Sequence, residues 1–553
     1  MTRMPQRGRG AVRGWVILAA VAGAGCGDSG PGEEPGASAP IPEEDRFGGT
    51  IVIAGSASPT TFNPAAATDE LSYQLQRHVV LMTLLRPDEN LEPVPYLAES
   101  WELNGDSTEI VFHLRDDVRW HDGQPTTAAD VAYTFNLLKN PDAGFPNAEW
   151  FEGWEGAELV DRRSIRFAVR PRAGLLSGWT RLPIMPQHLM SDAAPGNVAT
   201  HPFGAAPTGN GPFRFVEARG GDQWIFEANP DFPEALARPY ASRLVYRTIP
   251  DATAQLAELR TGGVHYVRFI SPSQLETARA DRSLRVVEFP SRAYGLIAWN
   301  GTRPMFQDAR VRTAFTMAID RQAIVDAVRY GLGEVANGPI GPWHPAYDRS
   351  LAPLPFAPDS ARALLASAGW VDADGDGVRE RGGRPLGFEL LTNENAAYRD
   401  IAQIVQARLA VVGAKVRLRV VESSTLGDAI MSPERRFDAF VLEWESDLDV
   451  DDRQLFSCQS VGEIFQFSSY CNRALDPILD SIPNARSSEQ GARLLREYVR
   501  IVRADQPFSF LYFARDASAM TASLGGVTLD MRGDLGGVTR WWLDPAVRDG
   551  GPS

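Results

Sequence analysis

Lysine is nearly missing from this 553-residue chain: only Lys139 and Lys415 occur, and neither follows a glycine. A phosphate-cradling loop of the form G-x-x-x-x-G-K has no place to form, which argues against ATP hydrolysis. Cysteine is scarce too, with Cys26, Cys458 and Cys471 alone and no C-x-x-C pair. The seven histidines make no H-E-x-x-H helix, and no G-x-S-x-G elbow is present. The usual signatures of zinc and serine hydrolases are therefore absent. Positive charge is in deficit as well, 55 Lys and Arg against 70 Asp and Glu for a net −15, which argues against a nucleic-acid partner. No apolar run reaches the roughly 20 residues a membrane-spanning helix needs.

What the chain does contain suits a globular protein with room for two or more lobes, at 44% hydrophobic and 23% charged residues. Arg3, Arg7, Arg9 and Arg13 precede the short apolar run "GWVILAAVAGAG" (14–25), the pattern of an export signal over residues 1–25. "AGAGC" then resembles a bacterial lipobox with Cys26 as the lipidated thiol, although Gly23 stands where such boxes usually carry Leu. Residues 26–46, rich in Gly, Pro and acid without an apolar face, read as a flexible tether. Cys458 and Cys471 remain as an even pair in an oxidising compartment, to be a disulfide or else two free buried thiols.

From Phe47 onward, strand and helix patterns interleave. "GGTIVIAG" (48–55) reads as a first strand, and "STEIVFHLR" (107–115) alternates Ile110, Phe112 and Leu114 on one face with His113 on the other. Thr127 and Asp130 form a capping box ahead of a helix that turns Val131, Phe135 and Leu138 inward. A hairpin bending at Gly220 and Gly221 spans 211–230. Residues 308–331 predict one helix from Asp308 to Gly331, and 400–422 change from helical period to alternation at Gly413. Mixed α/β lobes follow.

Two stretches carry metal-like chemistry. In "RWHDGQP" (119–125), His121 and Asp122 lie close to His113, but a strand histidine beside a turn histidine reads as structural. In "DADGDGVRERGG" (372–383), Asp372, Asp374, Asp376 and Gly377 match the first, third, fifth and sixth positions of a calcium loop, while Gly383 stands at the twelfth, where a bidentate Glu belongs. A solvated acidic turn is the preferred reading, and no metal or cofactor is expected.

"LAESWELNGDSTEIVFHLRDDVRWHDGQPTTAADVAYTF" (97–135) closely resembles the signature of the peptide/nickel class, family 5, of extracellular solute-binding proteins that serve ABC importers. The resemblance continues through "PTGNGPFRF" (207–215), "YGLIAWNGTRPMFQDARVRTAFTMAIDRQAIV" (294–325), "ALLASAGW" (363–370) and "FSSYCNRALDPILDSI" (467–482). It implies an α/β, two-lobed periplasmic-binding-protein-like fold with mixed sheets, a hinge between the lobes and an extra subdomain in the N-terminal lobe. Lobe I would span 47–290, lobe II 291–510, and 511–553 would return to lobe I. The partners so implied are a peptide ligand, ABC permease subunits and a membrane reached through the lipid anchor, with the protein monomeric.

Peptide-binding members of this family use a W-x-x-D run whose aspartate meets the peptide α-amino group. The resemblance maps that run onto "WESD", with Trp444 packing, Glu445 beside it and Asp447 as the anchor; the plainer alternative is that Asp447 caps a turn. The arginine that fixes a dipeptide carboxylate in other relatives has no match in "FELLTNENAAY" (388–398), where Thr392, Asn393 and Asn395 stand, and the two asparagines remain as polar-contact candidates. That departure favours oligopeptides. The same scaffold also serves oligosaccharides, metal chelates and haem, and a secreted peptide hydrolase is the alternative of a different class.

Overall fold

The computed structural model describes residues 41–548 apart from 173 and 433, so the signal segment, Cys26 and the tether up to residue 40 lie outside the described residues. Two long strands form the spine of the fold. Leu284–Trp299 and Phe508–Thr521 pair antiparallel, and their register shifts between Pro290 and Tyr294. Proline has no N–H to give the ladder, so the pairing is interrupted there. On one side of this break Phe508–Thr521 pairs with Tyr266–Val267 through Met520 and Ala519. On the other, Leu284–Trp299 pairs with Ala439–Glu445 from Ala293 to Trp299.

The described residues thus build an eleven-stranded mixed sheet. Its order is Lys415–Val421, Gly387–Asn393, Ala439–Glu445, Leu284–Trp299, Phe508–Thr521, Tyr266–Val267, Thr50–Gly55, Arg243–Thr248, Gln223–Ala228 and Phe213–Arg219, with Gly333–Val335 attached to Phe508–Thr521. Gly387–Asn393 and Lys415–Val421 are parallel, which requires a crossover, and the helix Ala396–Ala410 supplies it. Gly413 ends that helix at φ +83°, the left-handed region that glycine tolerates.

The fold is two-lobed, and the buried side chains divide accordingly. Ile51, Phe112, Trp154, Phe167 and Tyr246 share one core with Leu524, Trp541 and Leu543 from the C-terminal stretch. The other lobe has apolar residues on both faces of its strands: Ile297, Trp299, Phe315 and Phe388 on one, Tyr294, Leu296, Phe440 and Phe510 on the other. Successive residues of a strand point to opposite faces, so neighbours such as Leu296 and Ile297 serve different cores.

The extra subdomain is a four-stranded antiparallel sheet, Ala98–Leu103, Glu109–Leu114, Ser164–Val169 and Trp154–Leu159 in order. The expected Thr127–Asp130 capping box opens the helix Ala128–Lys139, which rests on this sheet through Val131 and Phe135. Trp179 is buried among Phe112, Trp154 and Phe167, with ring centroids 6.3, 5.3 and 5.0 Å away. It thereby fixes the short helix Gly178–Arg181.

The helix expected over 308–331 is two helices, Ala309–Ala318 and Arg321–Val328. Ile319 turns extended between them, and the Asp320 carboxylate accepts the Ala323 N–H at 3.1 Å to cap the second. Apolar spacing is indifferent to such a break, because both helices bury their apolar residues in the same core. "RWHDGQP" is a clasp: His121 Nδ1 accepts the Gly209 N–H at 3.2 Å, and its Nε2 donates to the Gly211 carbonyl at 3.1 Å. Burial pushes this imidazole down to about 4, so it stays neutral, and Asp122 pairs with His188 at 2.7 Å.

Candidate functional site

The strand Ala439–Glu445 ends at the cleft face with Trp444 and Glu445. Trp444 packs edge-on against Phe465 and Phe467, both at 5.7 Å, so it supports the strand from behind. Arg292, from the neighbouring long strand, pairs with Glu445 and also donates to the Ser446 carbonyl at 3.2 Å, while the Ser446 N–H donates to the Arg292 carbonyl at 3.1 Å. The chain is thus held just before Asp447. Asp447 itself is exposed, and no described residue hydrogen-bonds or ion-pairs with its carboxylate. It caps no turn.

Asp447 lines a cavity of about 160 Å³ between the lobes. Glu70, Tyr73, Arg77, Trp150 and Arg181 face it from the first lobe, Arg292 and Leu448 from the second, and Arg532 from the C-terminal return. Four guanidiniums and a second carboxylate, Glu70, surround Asp447, yet each guanidinium already has a partner. Arg77 meets Glu70 at 3.7 Å, Arg181 meets Asp449 at 2.9 Å, Arg532 meets Asp530 at 2.5 Å, and Arg292 meets Glu445. His78, in the same wall, is neutral, because burial and the adjacent Arg77 drive it down to about 3. The described chamber therefore presents one uncompensated negative charge, Asp447, to whatever enters. A cation that can donate hydrogen bonds satisfies it, and burial behind closed lobes strengthens that pairing.

Asn393 and Asn395 are engaged elsewhere. Asn393 donates to Ser423 Oγ at 3.1 Å and accepts the Asn395 N–H, while Asn395 caps the helix Ala396–Ala410 by accepting the Ala397 and Tyr398 N–H groups. Neither lines the Asp447 cavity. Glu70, Arg77, Arg181, Arg292 and Arg532 are among the wall residues that sequence reasoning did not single out. They are spread from position 70 to position 532 and belong to no local motif.

Cys458 and Cys471 are joined as a disulfide. In the acidic turn, Asp372, Asp374, Asp376 and Glu380 bring one carboxylate oxygen each within 4.8 Å of one another. The fourth acid of the group stands at position 380, three residues before Gly383. The turn holds its own shape through Asp372, which accepts the Gly375 and Gly377 N–H groups.

Two lobes joined by paired crossing strands, with a cleft between them, make the two-lobed architecture of a periplasmic binding protein. The chain belongs to the bacterial extracellular solute-binding proteins of family 5, whose middle-region profile matches residues 92–464. That family consists of binding proteins and not of enzymes. The oligopeptide-binding protein AppA of Bacillus subtilis is 30% identical over 503 residues, covering 90% of this chain and 92% of AppA. The AppA structure, in complex with a nonapeptide, superposes with a TM-score of 0.73 at 28% identity over 90% of this chain and 99% of that one. NikZ from Campylobacter jejuni, in complex with Ni(L-His), gives 0.74 at 26% identity over 91% and 100%. No helix among the described residues is long and apolar enough to cross a membrane.

Proposed function

We propose that this protein captures oligopeptides in the interlobe cleft and delivers them to an ABC import permease, with Asp447 holding the peptide α-ammonium. The single observation behind this reading is an exposed carboxylate that no described residue partners, in a chamber where every arginine of the described wall already has one. An α-ammonium is cationic near neutral pH and offers three donors. Trp444 and Glu445 act from behind and beside the anchor, and the lobes close over the ligand as 47–290 with 511–553 on one side and 291–510 on the other. The nonapeptide bound by AppA supports a ligand of several residues, as does the absence of a free arginine for a dipeptide carboxylate among the described wall residues.

Titration calorimetry with one peptide in three forms tests the anchor. The free peptide and its C-terminal amide bind alike, while the N-acetylated form loses affinity. Equal binding of the acetylated and free peptides refutes the reading.

Cys26 carries the lipid that holds the monomer at the outer face of a bacterial membrane in this proposal. Two acyl chains, at about 0.8 kcal/mol per buried CH₂, suffice for stable anchoring. Wild-type protein then enters the detergent phase of a phase-separated extract and Cys26→Ser does not; wild type in the aqueous phase rules the anchor out.

A further inference from the structure

We infer that the ligand runs past Arg181 into a second, larger interlobe chamber, and that this chamber selects peptides longer than two residues with aliphatic side chains downstream of the amine. The inference rests on the peptide reading of Asp447 and extends it.

The second chamber has a volume of about 920 Å³ and shares Pro87, Leu91, Thr180, Arg181 and Leu448 with the chamber of Asp447. The two spaces therefore lie side by side along one wall, with Arg181 between them. Pockets that enclose small ligands usually measure about 300–1,000 Å³. At about 160 Å³ the anchor chamber falls below that range and the larger one near its top. A ligand held by its amine at Asp447 has its bulk in the larger space.

The lining states what that bulk is. Leu91 and Leu175 come from the first lobe, and Leu448, Val450, Ile482 and Leu495 from the second. No Phe, Tyr or Trp is among the described residues of this wall, which argues against a ligand that needs a stacking platform. The four acids and three arginines of the lining nearly cancel, so no charged side chain is strongly favoured. Polar recognition is left to the chain itself. An extended peptide brings its own main-chain carbonyl and N–H groups to any wall it crosses.

Calorimetry on the full chain with Ala-Ala, Ala-Leu-Leu-Ala and Ala-Ser-Ser-Ala decides the matter. The leucine peptide is expected to bind at least about tenfold more tightly than the serine peptide, since burying one leucine alone is worth about that factor. Ala-Ala is expected to be weaker than the leucine peptide. Ile482→Ser should shrink the leucine-to-serine ratio, with thermal unfolding measured to confirm that the variant folds; the three-peptide comparison on wild type stands without it. If Ala-Ala and Ala-Leu-Leu-Ala bind equally and both depend on Asp447, the anchor survives and the second chamber is overturned. If the leucine and serine peptides bind alike, aliphatic selection is wrong. If no peptide binds, the anchor reading fails and takes this one with it.

Discussion

Arg181, on the helix that Trp179 pins into the first-lobe core, donates to Asp449 Oδ2 of the second lobe at 2.9 Å, and Ser177 Oγ donates to the same oxygen at 2.5 Å. These bonds cross the cleft next to Asp447, far in sequence from the crossing strands. Closure therefore has a polar fastening of its own. Asp449 is about half exposed, so solvent screens the pair and its contribution is modest. Asp449→Asn is expected to speed ligand dissociation two- to fivefold, with the difference fading at high salt. Stopped-flow dissociation at two ionic strengths checks this, and an unchanged rate at low salt rules out the fastening.

Asp447→Ala tests the anchor from the protein side. Truncating one partner of a buried charge pair costs about 2–5 kcal/mol, or about 30-fold to several thousand-fold in affinity. Because Asp447 is exposed and no described residue pairs with it, the variant should unfold within a few degrees of wild type. A large fall in unfolding temperature would mean that Asp447 supports the fold.

Asp452 governs a pH dependence a few residues further on. Its carboxyl is buried, accepts the Tyr498 O–H at 2.5 Å, and sits near Asp451 and Asp447. Burial is the larger cause and the neighbouring acids add to it, together raising the group from 3.8 to about 7 against the pull of Tyr498. The folded state therefore keeps a proton that the unfolded state releases near pH 4. Stability falls as pH rises from about 4 to about 7, with a loss of at most ~4 kcal/mol complete above that range. Asp452→Asn should flatten this slope and raise stability at pH 8. Chemical unfolding at pH 5 and pH 8 measures it; parallel slopes for the two proteins contradict the assignment.

Arg268 and Asp534 tie the C-terminal return to the first lobe. Two parallel bonds of 2.5 and 2.6 Å join them, both residues are buried, and Tyr266 stands beside the carboxylate. Removing one member leaves a buried charge uncompensated, so Arg268→Ala should destabilise the protein by about 3–5 kcal/mol. Denaturant titration reads this directly, and a loss below ~1 kcal/mol would show that the remaining carboxylate finds water.

The Cys458–Cys471 bridge spans 13 positions. Closing a loop of that order is worth about 3 kcal/mol in the chain-entropy model. The urea midpoint should fall when a reductant is added and should not move in the Cys458→Ser/Cys471→Ser double variant.

Local pattern made the elements legible. The alternation at Ile110, Phe112 and Leu114, the Thr127–Asp130 box and the change of period at Gly413 each depend on residues within a few positions, so the sequence alone determined them. Its ordered family motifs likewise determined the two-lobed class. It did not show Asp320 ending one helix and capping another, since the apolar stripe runs unbroken through the junction. Nor did it show Glu380 joining Asp372, Asp374 and Asp376, because the loop does not keep the twelve-residue spacing. The chamber of Asp447 was beyond reach for a different reason. Arg77, Arg181, Arg292 and Arg532 are paired or free according to which acids the fold sets beside them, and Coulomb pairing depends on distance in space. The sequence determined that a carboxylate follows Trp444 in a W-x-x-D run; only the tertiary structure, by giving every surrounding arginine another partner, decided that this carboxylate faces the cleft alone.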